Sequence, residues 1–229
     1  MDLLPEEKLI WSPIVANSSM NRKRVASGIN SYEKEFGFKP EAYLDEKIKR
    51  HGHASWVDIC CGEGNALLQT ANYFDGKGFQ DKVQLIGIDL LDAFQPIDSK
   101  INCLVFETLS VINWLAAQKY DLITCSHGLH YLGDKLKVIE TMVGALNPGG
   151  LFIANFDIKS ISIAGIDTVA HLKNYFKKFQ IAYDARKKII KKLGPVTMEF
   201  KLSYIGADDK AGPNYTGQDA VTSYYTEIK

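Results

Sequence analysis

An apolar run that enters a glycine turn and leaves it as a helix constrains this chain more than any other feature. The run is Ser55-Trp-Val-Asp-Ile-Cys60, the turn carries Gly62 and Gly64, and residues 64–73 place Leu67, Leu68 and Ala71 at helical spacing. A strand tied to a helix in this way asks for parallel neighbours, and the sequence supplies them. Further strands are predicted over residues 83–88, 101–106, 120–125 and 151–156, and helices over 111–118 and 134–146, the last stopped by Asn147-Pro148-Gly149-Gly150. Strands alternating with helices predict an α/β, doubly wound, mostly parallel sheet covered on both faces. Residues 167–193 repeat their apolar positions every three or four and read as one long helix, ended by Gly194-Pro195. Strands over 196–205 and 220–228 follow without a helix between them, which predicts an antiparallel pair completing seven strands at the edge of the sheet. Ahead of the first strand, residues 30–36 and 41–50 look helical. Residues 1–54 are expected to form an N-terminal helical cap on a domain spanning 55–229, because a piece that short buries too little core alone.

Charge narrows the classes of function. The 27 basic and 27 acidic side chains cancel, which argues against a protein that grips nucleic acid through bulk positive charge. A hydrophobic fraction of 46% excludes a disordered chain. No apolar run approaches the roughly 20 residues of a membrane span. No secretory signal is visible at the start, and no two of the four cysteines have Cys-x-x-Cys spacing, so a reduced, cytoplasmic protein without a metal site is expected.

Chemistry concentrates in Val57-Asp-Ile-Cys-Cys-Gly-Glu-Gly-Asn65. Glycines there let a ligand approach the backbone, and the helix start offers unpaired N–H groups. The first turn of an open parallel sheet is where adenine-containing cofactors bind. A dinucleotide fingerprint needs a third glycine where this chain has Leu67, and Asp58 would repel a pyrophosphate. An acid at that point suits a ligand with a cationic amino group. Further along stand Gly87-Ile-Asp89, Phe106-Glu-Thr108, Tyr120-Asp-Leu-Ile-Thr-Cys-Ser-His127 and Leu146-Asn-Pro-Gly-Gly-Leu151, each ending or entering a predicted strand.

In that order these segments resemble the motifs of class I S-adenosylmethionine-dependent methyltransferases, which have a Rossmann-like fold. The match to the family's first motif holds at Val57, Asp58, Gly62 and Gly64 and departs at Cys60, where the family usually has its first glycine. The flanks, Asn17 to Arg22 and Gly206 to Gly217, are similar to segments of bacterial methyltransferases of specialised metabolism. The resemblance implies that Asp58, Cys60, Gly62 and Gly64 hold the methionine end of the cofactor, Asp89 and Leu90 its ribose, and Glu107 and Thr108 its adenine, with Ser126 beside the methyl group. S-adenosylhomocysteine would be the product.

Methyl transfer needs alignment more than a protein nucleophile. A base is required only where the acceptor must lose a proton. His127 and His130, at the end of the fourth strand, are the candidate catalytic residues. Met20, Arg22, Tyr131, Asn214 and Tyr215 are candidate acceptor contacts. The expected acceptor is the oxygen or nitrogen of a small molecule or short peptide. Two alternatives stay open: an RNA or protein methyltransferase using the basic 167–193 helix, and a methyltransferase-like binding protein without activity. Oligomeric state is left open.

Overall fold

The computed structural model describes residues 2–16 and 23–228. Met20 and Arg22 lie outside the described residues. In chain order the elements are α1 (Glu6–Leu9), α2 (Pro13–Ala16), α3 (Tyr32–Phe36), α4 (Pro40–His51), β1 (Ala54–Ile59), α5 (Asn65–Gly76), β2 (Val83–Asp89), β3 (Leu104–Thr108), β4 (Tyr120–Cys125), α6 (Lys135–Gly144), β5 (Leu146–Asn155), β6 (Ile161–Ile163), α7 (Thr168–Lys178), β7 (Ala182–Asp184), β8 (Ile189–Leu193), β9 (Leu202–Asp208) and β10 (Thr222–Glu227).

Seven strands form the main sheet in the order β3-β2-β1-β4-β5-β8-β7. The first five are mutually parallel, and β8 is antiparallel to both β5 and β7. Alternate residues of each strand serve opposite faces. On one face Val57, Ile123 and Phe152 join Leu136, Ile139 and Phe176 of α6 and α7. On the other, Trp56, Leu122 and Leu151 join Leu44 of α4 and Leu67, Ala71 and Phe74 of α5. Local chemistry sets the helix ends. Pro40 sits at the first turn of α4 and Gly52 closes it in the left-handed region, while Asp134 and Asp167 cap α6 and α7 by accepting backbone N–H bonds. In the N-terminal segment α4 packs on β1 and α5. Among the described residues no helix is long and apolar enough to cross a membrane.

Three expectations are corrected. The 167–193 stretch is not one helix. It stops at Lys178, Gln180 turns the chain at φ 55°, and a tight hairpin of β7 and β8 follows. Asp184 forces that hairpin turn by accepting from the N–H groups of Arg186 and Lys187, 2.9 Å each, and Lys188 adopts φ 55°. The positive charges are therefore dispersed. Only Lys173, Lys177 and Lys178 lie on α7, Lys192 is buried, and Lys188 pairs with Asp157 at 3.3 Å. The basic stretch is thus shared between α7, which keeps three exposed lysines, and the β7–β8 hairpin. Second, β8 takes the place beside β5, so β9 and β10 pair with each other in a separate three-stranded sheet ordered β6-β10-β9. Third, residues 111–118 form only a short turn over Val111–Asn113, because Trp114 goes extended and its side chain packs against Tyr120 in the core.

Candidate functional site

The carboxyl ends of β1, β2, β3 and β4 face a partly open cleft. Cys60 and Gly62 line it from the first turn, Ile88 to Leu91 from β2, Leu109 to Val111 from beyond β3, and Ser126 to Gly128 from beyond β4. Leu9, Ile10 and Val15 roof it. This N-terminal strap is tied down at three points. Leu4 exchanges two backbone hydrogen bonds with Ala207, at 2.8 and 2.9 Å. Ser12 donates to Asp209 at 2.6 Å. Glu6 lies so close over Gly133 that any Cβ there would collide with its carboxylate.

The turn after β1 shows why a departure from glycine is tolerated. Cys60 has φ 55°, left-handed backbone that L side chains disfavour, and Gly62 and Gly64 follow at 61° and 75°. The space for the Cys60 side chain comes from Gly128. A Cβ on Gly128 would collide with the Cys60 Cβ and fall 2.8 Å from the sulfurs of both Cys60 and Cys125. Gly128→Ala is therefore expected to cost about 1–3 kcal/mol by overpacking. Adding Cys60→Gly should recover part of the loss, and a double-mutant cycle by urea melts would show it. Additive losses would contradict the complementarity.

Asp89 sits at the rim. Its Oδ2 accepts from the Gly62 N–H at 2.8 Å and its Oδ1 from the Leu91 N–H at 3.1 Å. Asp58 does not line the cleft. It is buried on the face of β1 that meets the cap, where the Tyr32 hydroxyl donates to it at 2.7 Å and the Thr124 hydroxyl at 2.6 Å. Burial pushes its pKa up to about 7 despite both bonds. Gly64 is a packing position, filled by the Phe106 ring, which also stacks on Phe94 at 4.5 Å. Glu107 and Thr108 end β3 away from the cleft, and the next three residues line it instead.

Beyond β4 the two histidines differ. His127 has φ 61°, lines the cleft and holds its Nε2 3.4 Å from Glu35 Oε2. Its Nδ1 is buried and has no hydrogen-bond partner among the described residues. His130 is buried, and desolvation holds its pKa down at about 3, with the His127 and Lys135 charges adding, so it is neutral at any working pH. Tyr131 lines the cleft, whereas Asn214 and Tyr215 line a second opening with Asp157 and Lys188. Tyr215 also meets the His130 ring edge-on at 5.5 Å. The loop after β9 thus reaches the far side of His130, though it arrives there from the small sheet. Asp209 serves the strap, and Arg24 pairs with Glu35 at 3.0 Å. Glu35 and Leu109 to Val111 went unnoticed in the sequence. The last three were signalled only by standing just past a predicted strand.

The residues fit S-adenosylmethionine. Ser126 and His127 line the cleft, and Ser126 Oγ and His127 Nδ1 are buried without partners among the described residues, while Ile88, Leu109 and Leu132 supply apolar lining and Asp89 a carboxylate.

Comparison with known proteins agrees. No curated protein matches the sequence. Among solved structures, the PKMT2 protein of Rickettsia typhi in complex with AdoHcy is 27% identical, with TM-score 0.39, over 50% of this chain and 24% of that one. The N-methyltransferase NodS of Bradyrhizobium japonicum WM9 in complex with S-adenosyl-L-homocysteine is 15% identical, with TM-score 0.43, over 68% of this chain and 85% of that one. This chain thus spans about a quarter of the length of the first and most of the second. A family model described as a methyltransferase domain matches residues 32–184, about two thirds of the sequence. The chain therefore belongs to the class I S-adenosylmethionine-dependent methyltransferases.

Proposed function

We propose that this chain moves a methyl group from S-adenosylmethionine to an oxygen or nitrogen of a small molecule or short peptide. The observation that carries the reading is the cleft itself, where Asp89, Ser126 and His127 line one largely apolar, roofed space. S-adenosylmethionine supplies a methyl group on a sulfonium, ready for in-line displacement. The chain's own contribution is placement and exclusion of water. Cys60 and Gly62 offer backbone to the methionine end. Asp89, with Leu90 beside it, accepts from ribose hydroxyls, and Leu109 to Val111 flank the adenine. The strap closes over the whole. Asp58 acts at one remove, tying β1 to the cap through Tyr32. His127 faces the acceptor, which enters from the side of Tyr131, His130 and Tyr215.

Calorimetry with S-adenosylmethionine and S-adenosylhomocysteine is the direct test, followed by an acceptor panel of phenols, amines and short peptides. Absence of binding at millimolar ligand would sink the reading. Binding without product across the panel would leave a cofactor-binding protein. Asp89→Asn is expected to weaken S-adenosylhomocysteine about 10- to 100-fold, because two charge-assisted hydrogen bonds are lost and the new amide opposes the Gly62 N–H.

A further inference from the structure

We infer that Glu35 is the positioning residue for His127, and that the two form a proton-accepting dyad on the acceptor side of the cleft. The inference rests on the methyl-transfer reading and adds to it the kind of acceptor atom the site is built for.

Glu35 belongs to the cap, on the short helix α3, which Ser31 caps at one end by accepting from the Lys34 N–H and Gly37 closes at the other. Three groups from three other places converge on its carboxylate. Arg24 Nη1 lies 3.0 Å from Oε2, Asn155 Nδ2 donates to Oε1 at 2.6 Å, and His127 Nε2 lies 3.4 Å from Oε2. Asn155 also accepts the His127 backbone N–H at 3.1 Å. Backbone and ring of His127 are thus fixed by one connected pair at the end of β5 and in the cap. The strained left-handed backbone of His127 is what such a fixed position costs.

The contact points to where the imidazole proton sits. A carboxylate only accepts, so in this dyad neutral His127 carries its proton on Nε2, 3.4 Å from Glu35, and Nδ1 is left with a lone pair. Nδ1 is the buried atom without a partner among the described residues. The charged and titratable neighbours of the ring support the same assignment. From the cap, Glu35 is held down to about 2, first by the His127 hydrogen bond and then by Asn155 and Arg24, so it is an anion at any working pH. From its own turn, His130 lies 5.7 Å away and is kept neutral by burial. Beyond it, Tyr215 is pushed up to about 12 by burial and by the Glu35 charge, and stays a neutral phenol. From the glycine turn, the side-chain hydrogen bond with Cys125 and then burial raise the Cys60 thiol, which stays protonated. No neighbour competes with Nδ1 for a proton.

A base of this form serves an acceptor that arrives with its proton, a hydroxyl or an ammonium. A carboxylate acceptor would have no need of it. The balance is one for one: a hydroxyl's O–H bond breaks as its oxygen binds the methyl carbon, whereas an ammonium would first give its proton to Nδ1 and attack with the lone pair so freed; the methyl carbon's bond to the sulfonium sulfur would break with the pair left on a neutral thioether, and the imidazolium would be stabilised by Glu35 until solvent takes the proton.

Nitrogen NMR of the full chain labelled at histidine, titrated with and without S-adenosylhomocysteine, tests this without any acceptor. Neutral His127 should be the Nε2–H tautomer in the unaltered chain. In Glu35→Gln the Nε2–H tautomer should persist, because the amide oxygen still accepts, whereas in Glu35→Leu, with no acceptor left, the preference for it should be lost. Glu35→Asp should keep it. An Nδ1–H tautomer in the unaltered chain overturns the inference even where a variant fails to fold. So does an unchanged tautomer in a Glu35→Leu protein that still binds S-adenosylhomocysteine normally. Failure of the unaltered chain to bind S-adenosylhomocysteine would count against the methyl-transfer reading instead, and leaves the titration readable.

Discussion

Lys135→Met is expected to lower the unfolding free energy by about 3 kcal/mol or more, one of the largest single-residue losses in this fold. Lys135 is the first residue of α6 and is fully buried. Its ammonium donates to Leu132 O at 2.9 Å, Val221 O at 2.8 Å and Ser223 Oγ at 2.7 Å. An ammonium has three protons and no acceptor, so the three bonds satisfy it completely. Two of the acceptors lie on or beside β10, which makes the side chain the clamp between α6 and the small sheet. Methionine matches its shape but leaves two carbonyls and a hydroxyl in a dry space, and each orphaned group costs about 1–3 kcal/mol. Relief from burying a charge returns part of this, since burial already lowers the Lys135 pKa. Urea melts at pH 7 measure the difference. A variant within 0.5 kcal/mol of the parent, roughly the scatter of an ordinary surface substitution, would show that the clamp contributes nothing.

Asp58→Asn is expected to act in the opposite direction, and only at higher pH. The carboxyl titrates near 3.9 in an unfolded chain and at about 7 when folded, because burial outweighs the hydrogen bonds from Thr124 and Tyr32. Between those values the folded state holds a proton that the unfolded state has released. Stability therefore declines as pH rises through that window, and the proton's contribution is gone above pH 7. About three pH units at 1.36 kcal/mol each set the scale at about 4 kcal/mol. Asparagine resembles the protonated acid: its oxygen accepts from Thr124 and its amide donates to the Tyr32 hydroxyl. The variant should match the parent near pH 4 and exceed it by up to about 4 kcal/mol at pH 8.5. Stability curves that run parallel from pH 5 to pH 8.5 would refute the buried-acid account, since all other groups titrate alike in both proteins.

Legibility in the sequence followed burial. The strands from β1 to β5 are apolar runs with glycine or Asn-Pro-Gly-Gly boundaries, and β4 spans the residues predicted. The register of the cofactor side, with Asp58 opposite both Gly87 and Thr124, follows from those runs. The stretch beyond α7 was illegible for a definite reason. The turns at Gln180 and Lys188 use left-handed backbone at residues that give no turn signal. β8 also carries lysine on its inward side: Lys192 is buried, so the strand lacks the alternation of apolar and polar residues that marks one. Ile189, Ile190 and Leu193 then fit a helical spacing just as well. In the candidate site, backbone-bearing positions were readable because glycine marks them. Glu35 was not, since its contacts come from residues up to 120 positions away and belong to no local pattern. Asp58 looked like a ligand residue because its partner Tyr32 is supplied by the cap.

The strap and the small sheet share their fastenings. Leu4 and Ser12 end on Ala207 and Asp209, at the tip of β9, while Lys135 joins β10 to the start of α6 beside Gly133, over which Glu6 lies. The roof over the cleft is thus hung from a strand far along the sequence from the glycine turn beneath it. A substitution that loosened β9 would free the anchors of Leu4 and Ser12 as well, and with them the roof of the cleft.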